Sequence, residues 1–169
     1  APISPYGATK LACEHLCRVY HTNFDLPICA LRYFTVYGPR QRPDMAFSIW
    51  IKALLEKRPI RIFGDGTQTR DFTYVSDAVQ ATILAAERGE PGNIYNIAGG
   101  SRTSPKEVLA ILSEISARRA DVRFEEAQKG DPKHTWADSS RARESLGFVP
   151  RTALRAGLGS QYEAHALNR

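Results

Sequence analysis

The sequence predicts an α/β protein organised around a parallel sheet, and three observations carry that reading. A helical pattern over the first twenty or so residues leads directly into residues 27–34, a mostly apolar run without clean alternation, as in a strand covered on both faces. Two further short strand-like runs, residues 60–63 and 93–97, are reached through amphipathic helical stretches rather than hairpin turns. At 169 residues the chain is long enough for one domain with a real core, and no internal repeat or linker divides it.

The elements follow in order. Ser4 is a helix cap with Pro5 at the first helical position, and Ala8, Leu11, Ala12, Leu16 and Val19 form the apolar face of a helix ending near Thr22. Residues 35–44 read as a loop holding Tyr37-Gly38-Pro39-Arg40 and a basic cluster through Arg42. Residues 46–57 read as a helix with Phe47, Trp50, Ile51 and Leu54 on one side. Gly64-Asp65-Gly66 turns the chain after the 60–63 strand, and residues 70–75 are extended again. Ser76 is expected to cap a helix carrying Val79, Ile83 and Leu84 that stops at Gly89. Ser104-Pro105-Lys106-Glu107 is a capping box opening a helix with Val108, Ile111, Leu112 and Ile115 inward. Residues 122–124 suggest an edge strand, 129–132 a loop and 139–146 a short helix. Thr152 is expected to cap a last helix with Leu154, Leu158 and Tyr162.

Composition narrows the function. With 43% hydrophobic and 24% charged residues the chain is ordinary for a globular protein, and no apolar run approaches the ~20 residues of a membrane helix. The net charge of +5 suits an anionic ligand but is spread along the chain, without the basic blocks of a nucleic-acid binder. Neither a nucleic acid nor a membrane is an expected partner. Cys13, Cys17 and Cys29 form no C-x-x-C pair, and the four histidines are scattered, so buried reduced thiols in the cytoplasm are expected rather than metal or disulfide. The chain begins without methionine and reads as a piece of something longer.

The chemistry starts at Ser4-Pro5-Tyr6-Gly7-Ala8-Thr9-Lys10. Four residues separate Tyr6 from Lys10, which puts both on one helix face, one turn apart. An ammonium held beside a phenol favours the phenolate, and such a phenol can exchange a proton with a sugar hydroxyl. The spacing alone also fits a half-buried tyrosine next to a solvated lysine.

Further pieces line up in one order: Leu31-Arg32-Tyr33-Phe34-Thr35-Val36-Tyr37-Gly38-Pro39, then residues 64–75 (GDGTQTRDFTYV), Tyr95-Asn96-Ile97, Gly130-Asp131, Trp136-Ala137-Asp138 and Leu146-Gly147-Phe148-Val149-Pro150. Over essentially the whole chain this resembles the carboxy-terminal half of extended short-chain dehydrogenases, in the NAD-dependent epimerase/dehydratase family typified by UDP-glucose 4-epimerase. The resemblance implies the last part of a doubly wound, Rossmann-type NAD(P)-binding fold (about 1–34 and 75–98) interleaved with a small α/β nucleotide-sugar-binding subdomain (about 35–74 and 99–169). It implies NAD as cofactor, a nucleotide sugar as ligand, and inversion of carbon 4 of a UDP-hexose through a 4-keto sugar. UDP-glucuronate as substrate, a dehydratase or decarboxylase outcome, and a non-catalytic binding module are the alternatives.

By the same resemblance Tyr6 is the acid-base and Lys10 its partner and a cofactor contact. Tyr33 and Phe34 border the nicotinamide, core packing being the other role open to them. Thr35 stands where many 4-epimerases carry a substrate-binding asparagine, and with Pro43-Asp44-Met45 it is similar to the UDP-glucuronate branch. Asp44 and Met45 fall near the diphosphate, Arg61 and Phe63 at the nucleobase, Phe72 at the ribose, and Asp131 at the ribose hydroxyls. Ordinary packing remains open for Phe63 and Phe72. Arg70 is the diphosphate arginine, its fork matching two phosphate oxygens. Gln128 replaces a second phosphate-binding arginine, a loss that Lys129, Lys133 or Arg40 would have to offset.

No Gly-x-x-Gly-x-x-Gly turn is present, and the serine or threonine that completes the catalytic group in relatives lies upstream of the tyrosine. By itself the chain is expected neither to hold NAD nor to turn over substrate. The 28–34 and 94–97 strands should expose edges and an apolar face, through which two copies would associate as a homodimer.

Overall fold

The computed structural model describes residues 2–100, 102–127 and 132–167. Its first element is α1 (Pro5–Phe24), begun as the sequence predicts: Ser4 is extended and its hydroxyl oxygen accepts the Gly7 N–H at 3.1 Å. None of its residues is buried. Leu11, Leu16, Val19, Tyr20 and Phe24 lie exposed, so the apolar face that the spacing marks out is uncovered among the described residues.

The sheet is a set of strand pairs, three of them parallel. β1 (Ala30–Tyr33) runs parallel to β6 (Ile94–Ile97), with Leu31 beside Tyr95 and Tyr33 beside Ile97. The strand expected to be fully covered is only half so. Arg32 and Tyr33 are exposed, and Arg32 reaches back to α1 in a bidentate pair with Glu14, both bonds at 2.6 Å. The stretch read as a loop contains β2 (Val36–Tyr37), which pairs parallel with β5 (Thr73–Tyr74); two residues carry too little local pattern to reveal a partner so distant. β3 (Ile60–Phe63) pairs parallel with β8 (Val122–Glu125), and β4 (Arg70–Asp71) antiparallel with β7 (Arg102–Thr103). Between β3 and β4, Gly64 and Gly66 take φ of +80° and +74°, which only glycine adopts freely.

Two clusters of buried side chains form. The larger packs α2 (Ala46–Glu56), α4 (Pro105–Ser116) and α5 (Leu154–Leu167) with β3. Phe47, Trp50, Ile51 and Leu54 face inward from α2, and Val108, Leu109 and Leu112 from α4, as a 3.6-residue period requires. Both halves of the capping box form at Ser104: its Oγ accepts the Glu107 N–H, and the Glu107 carboxylate accepts the Ser104 N–H at 2.7 Å. Leu158 is fully buried, with Leu154 and Tyr162 packed against the same cluster.

The smaller cluster joins α3 (Val75–Arg88), β6 and a π-helical turn at Ala142–Leu146, where a plain short helix was expected. The inward face of α3 is mostly alanine: Ala81 and Ala85 leave room for Tyr95 and Phe148, Leu84 packs at the edge of the same cluster, and Val79 and Ile83 are exposed. Ser76 does not cap this helix. Tyr74 precedes it in extended conformation without a side-chain cap. Asp77, in the first turn, accepts the Thr152 N–H at 3.1 Å, which ties α3 to the approach to α5. No helix among the described residues is long and apolar enough to cross a membrane.

Candidate functional site

The first turn of α1 presents Tyr6 to solvent, 71% exposed, with its carbonyl accepting the Thr9 hydroxyl at 2.8 Å. One turn on, the Lys10 ammonium sits 5.4 Å from the centroid of the Tyr6 ring, so the two side chains do share a face and an approach.

Tyr6 forms one side of an open cleft of about 470 Å³ whose other lining comes from residues 36–42, Met45 and Val75. That wall is irregular backbone. Gly38 has φ of +137°, and a side chain there would collide with Val75 at 2.7 Å, so the position requires glycine. Arg40 is left-handed at φ +64°. Arg42 makes a two-bond pair with Asp44, at 3.2 and 2.9 Å, and touches the Met45 sulfur at 3.9 Å; Met45 itself precedes α2. Behind the wall lie Gln161 and Ser48, which with Gln41 of the wall itself form a polar group that sequence reasoning passed over. Gln161 is fully buried and accepts the Gly38 N–H at 3.0 Å, and it also bonds Gln41 and Ser48. Only their mutual distance in space reveals them, since each is unremarkable in its own segment.

The cleft holds a second phenol with a contrasting environment. Tyr37 is 2% exposed, and burial, then the Asp77 carboxylate, then Tyr74 push its ionisation well above the ordinary phenol value. It stays protonated in any physiological buffer. Tyr6, by contrast, is open to solvent and lies beside an ammonium.

The remaining candidates fall as follows. Tyr33 donates or accepts a 2.7 Å hydrogen bond with the Thr82 hydroxyl, and Phe34 continues the β1–β6 ladder through its N–H to Ile97. The Thr35 carbonyl accepts the Thr73 N–H at 3.1 Å, leaving its hydroxyl outside that ladder. Arg61 pairs with Glu125 at 3.5 Å across β3 and β8, and Phe63, at the end of β3, is exposed. Phe72 packs into the aromatic core, its ring centroid 4.5 Å from that of Phe47. Arg70 donates from one terminal nitrogen to the carbonyls of Thr69, at 2.9 Å, and Lys133, at 3.4 Å. Strand and loop are locked there, because Thr69 also bonds the His134 ring at 2.9 Å. Asp131, with Gln128 and Lys129, lies outside the described residues. Nearby, Lys106 stacks its ammonium 5.4 Å over the Phe124 ring, and the guanidinium of Arg102 lies 5.9 Å from the exposed Trp136 ring; neither contact is visible from spacing.

Known proteins align closely with this arrangement. The chain is 48% identical over 164 residues to an uncharacterized UDP-glucose epimerase of Bacillus subtilis, covering 95% of this chain and 51% of that protein. It is 42% identical over 158 residues to a UDP-glucuronate 4-epimerase of Thermodesulfobacterium geofontis, covering 93% of this chain and 49% of the relative. The chain thus spans about half the length of the curated relatives it matches. The crystal structure of a UDP-glucuronic acid 4-epimerase from Bacillus cereus, in complex with UDP-glucuronic acid and NAD, superimposes with a TM-score of 0.96 at 48% identity. That match covers all of this chain and 55% of that one. The resemblance to the epimerase family is thereby borne out, as is the Rossmann-type class of fold. With residues 1–98 matching its profile, the chain belongs to the NAD dependent epimerase/dehydratase family.

Proposed function

We propose that the protein is an NAD-dependent nucleotide-sugar epimerase that inverts carbon 4 of a UDP-hexose of the UDP-glucose/UDP-galactose type. The observation that carries this is the Tyr6–Lys10 pair, an exposed phenol with an ammonium 5.4 Å from its ring, at the mouth of a cleft of nucleotide-sugar size. The relatives support the same chemistry.

Tyr6 takes the proton of the sugar 4-hydroxyl and returns it after the flat 4-keto sugar has turned over in the cleft. Lys10 stands beside Tyr6, its ammonium 5.4 Å from the centroid of the ring, and is the proposed partner of Tyr6 in these transfers. Tyr37, held neutral by burial, serves as wall and not as base. Arg70 supplies a planar fork for the diphosphate, braced by the carbonyls of Thr69 and Lys133. Thr35, Asp44, Met45, Arg61, Phe63, Phe72 and Asp131 complete the proposed contacts to the nucleotide sugar.

The donor set fits NAD at one end. Tyr6 and Lys10 are both exposed, and a hydroxyl and an ammonium suit a ribose diol. Tyr33 and Phe34 would border the nicotinamide. Bound NAD supplies the hydride acceptor and donor for carbon 4. No glycine-rich phosphate turn is present in this sequence, so the pyrophosphate end is left to residues outside it.

A second reading, UDP-glucuronate, draws on Thr35 and Pro43-Asp44-Met45 and on the two named UDP-glucuronate epimerases among the relatives. Arg40 and Arg42 in the cleft suit an added carboxylate. The interleaved division of the chain, about 1–34 and 75–98 against 35–74 and 99–169, is part of the proposal. So is a homodimer, for which the uncovered apolar stripe of α1 provides surface, and so is a cytoplasmic setting, which suits three unbridged cysteines. The test is Tyr6→Phe in the intact gene product, supplied with UDP-glucose, UDP-glucuronate and their N-acetylated relatives. C4 inversion should fall at least ~10³-fold while UDP-sugar binding persists. Undiminished inversion in Tyr6→Phe refutes the proposal.

A further inference from the structure

We infer that Gln161, in the last helix, is a positioning residue for the cleft: it holds the wall of residues 36–41 through a relay of two side-chain amides and a serine hydroxyl. The inference rests on the proposed reading of that cleft as the nucleotide-sugar site.

Gln161 is 0% exposed, in a helix whose neighbouring inward position is Leu158. An amide is costly to bury unless its groups are bonded, and here they are. Its Oε1 accepts the Gly38 N–H at 3.0 Å, and its Nε2 donates to Gln41 Oε1 at 2.9 Å and to Ser48 Oγ at 3.5 Å. Gln41 passes the connection on, its own Nε2 donating to the Val36 carbonyl at 2.9 Å. Ser48 closes the relay, 3.2 Å from both oxygens of Gln41. The wall is therefore tied at residues 36, 38 and 41 to a helix more than a hundred positions away.

An apolar side chain of similar length would fill the same volume with less desolvation, so bulk alone does not account for an amide at this position. The wall needs directional support. Its left-handed backbone at Gly38 and Arg40 takes it out of the β2–β5 ladder, and the bonds within it both come from Gln41: its N–H to the Gly38 carbonyl at 3.1 Å and its Nε2 to the Val36 carbonyl. The same residues, continued by Arg42, line the cleft with Tyr6. A slack wall blurs the ligand's seat without touching the phenol.

The test uses the intact gene product and three variants: Gln161→Met, Gln41→Met and the double substitution. UDP affinity is read by isothermal titration, KM and kcat with the UDP-sugar substrate, and Tm by circular dichroism, with kinetics well below Tm. Gln161→Met should weaken UDP binding and raise KM by roughly five- to tenfold, the loss of about one buried hydrogen bond, with kcat within about threefold. The double variant should be no worse than the more damaging single one, because the relay is already broken. A lowered Tm with UDP affinity and KM unchanged, or strictly additive effects, overturns the inference. If Gln161→Met does not fold, Gln41→Met, at a half-buried position, breaks the same relay and decides alone. Absence of C4 inversion in the unsubstituted protein defeats the proposed reaction, whereas the UDP titration still decides the role of Gln161.

Discussion

Gly157 and Gly159 stand two residues apart in α5, and substitution by alanine should move stability in opposite directions. In a helix interior, alanine is favoured over glycine by about 0.5–1 kcal/mol because it restricts the unfolded chain more. At Gly159 nothing lies within 4 Å of the new methyl, so the gain is realised in full. For a chain of this length that corresponds to a Tm rise of about 1–4 °C. At Gly157 the methyl would lie 2.7 Å from a ring carbon of Tyr74 and 2.8 Å from one of Tyr37, with the Tyr37 hydroxyl closer still. Tyr37 is wedged among Phe47, Phe72 and Tyr74 and cannot swing aside. Overpacking of this kind costs about 1–3 kcal/mol against that helix gain, and the net loss, up to about 2.5 kcal/mol, lowers Tm by up to about 10 °C. Thermal unfolding followed by circular dichroism on the two variants side by side is the assay. Equal stabilisation of both would show that the aromatic cluster yields where the packing says it cannot, and the argument would fail.

Two further outcomes are expected. Arg70→Gln should weaken UDP binding by roughly tenfold or more, since an amide offers neither the charge nor the fork, and unchanged affinity by isothermal titration would remove Arg70 from the diphosphate role. Ser104→Ala should cost about 1 kcal/mol near neutral pH through loss of the cap. The Ser104 N–H, then its hydroxyl, hold the Glu107 carboxyl below its usual 4.5, so this stabilisation is present above that value and is lost as pH falls through the lower folded value. The gap between the two proteins should therefore narrow in acid, and a gap unchanged from pH 7 to 3 in urea titrations would contradict the assignment.

Elements whose cause is local were legible in the sequence. The capping box at Ser104, the Ser4–Pro5 start of α1 and the inward stripe of α2 each depend on residues within a turn or two of one another, and each formed as read. Much of what escaped depends on distant partners. Val36 and Tyr37 are a strand only because Thr73 and Tyr74 lie alongside. Ser76 is no cap because the helix already begins at Val75, after the extended Tyr74. Of the large residues that α3 carries, Leu84 packs beside Ala81 and Ala85 against the cluster of Tyr95 and Phe148, while Val79 and Ile83 are exposed. The candidate site divides in the same way: Tyr6 and Lys10 announce themselves by spacing, whereas Gln161 has meaning only beside Gly38 and Gln41.

The parallel pairings impose an order on synthesis. Residue 30 waits for residue 94, residue 36 for residue 73, and residue 60 for residue 122. Closing such wide loops before any contact rewards them makes collapse slow compared with a hairpin-built sheet. On the ribosome, at ~5–20 residues per second, β1 emerges seconds before its partner and must be kept from other unpaired strands in the interval. A nascent chain halted near residue 90 should accordingly be a far better chaperone client than one released beyond residue 125.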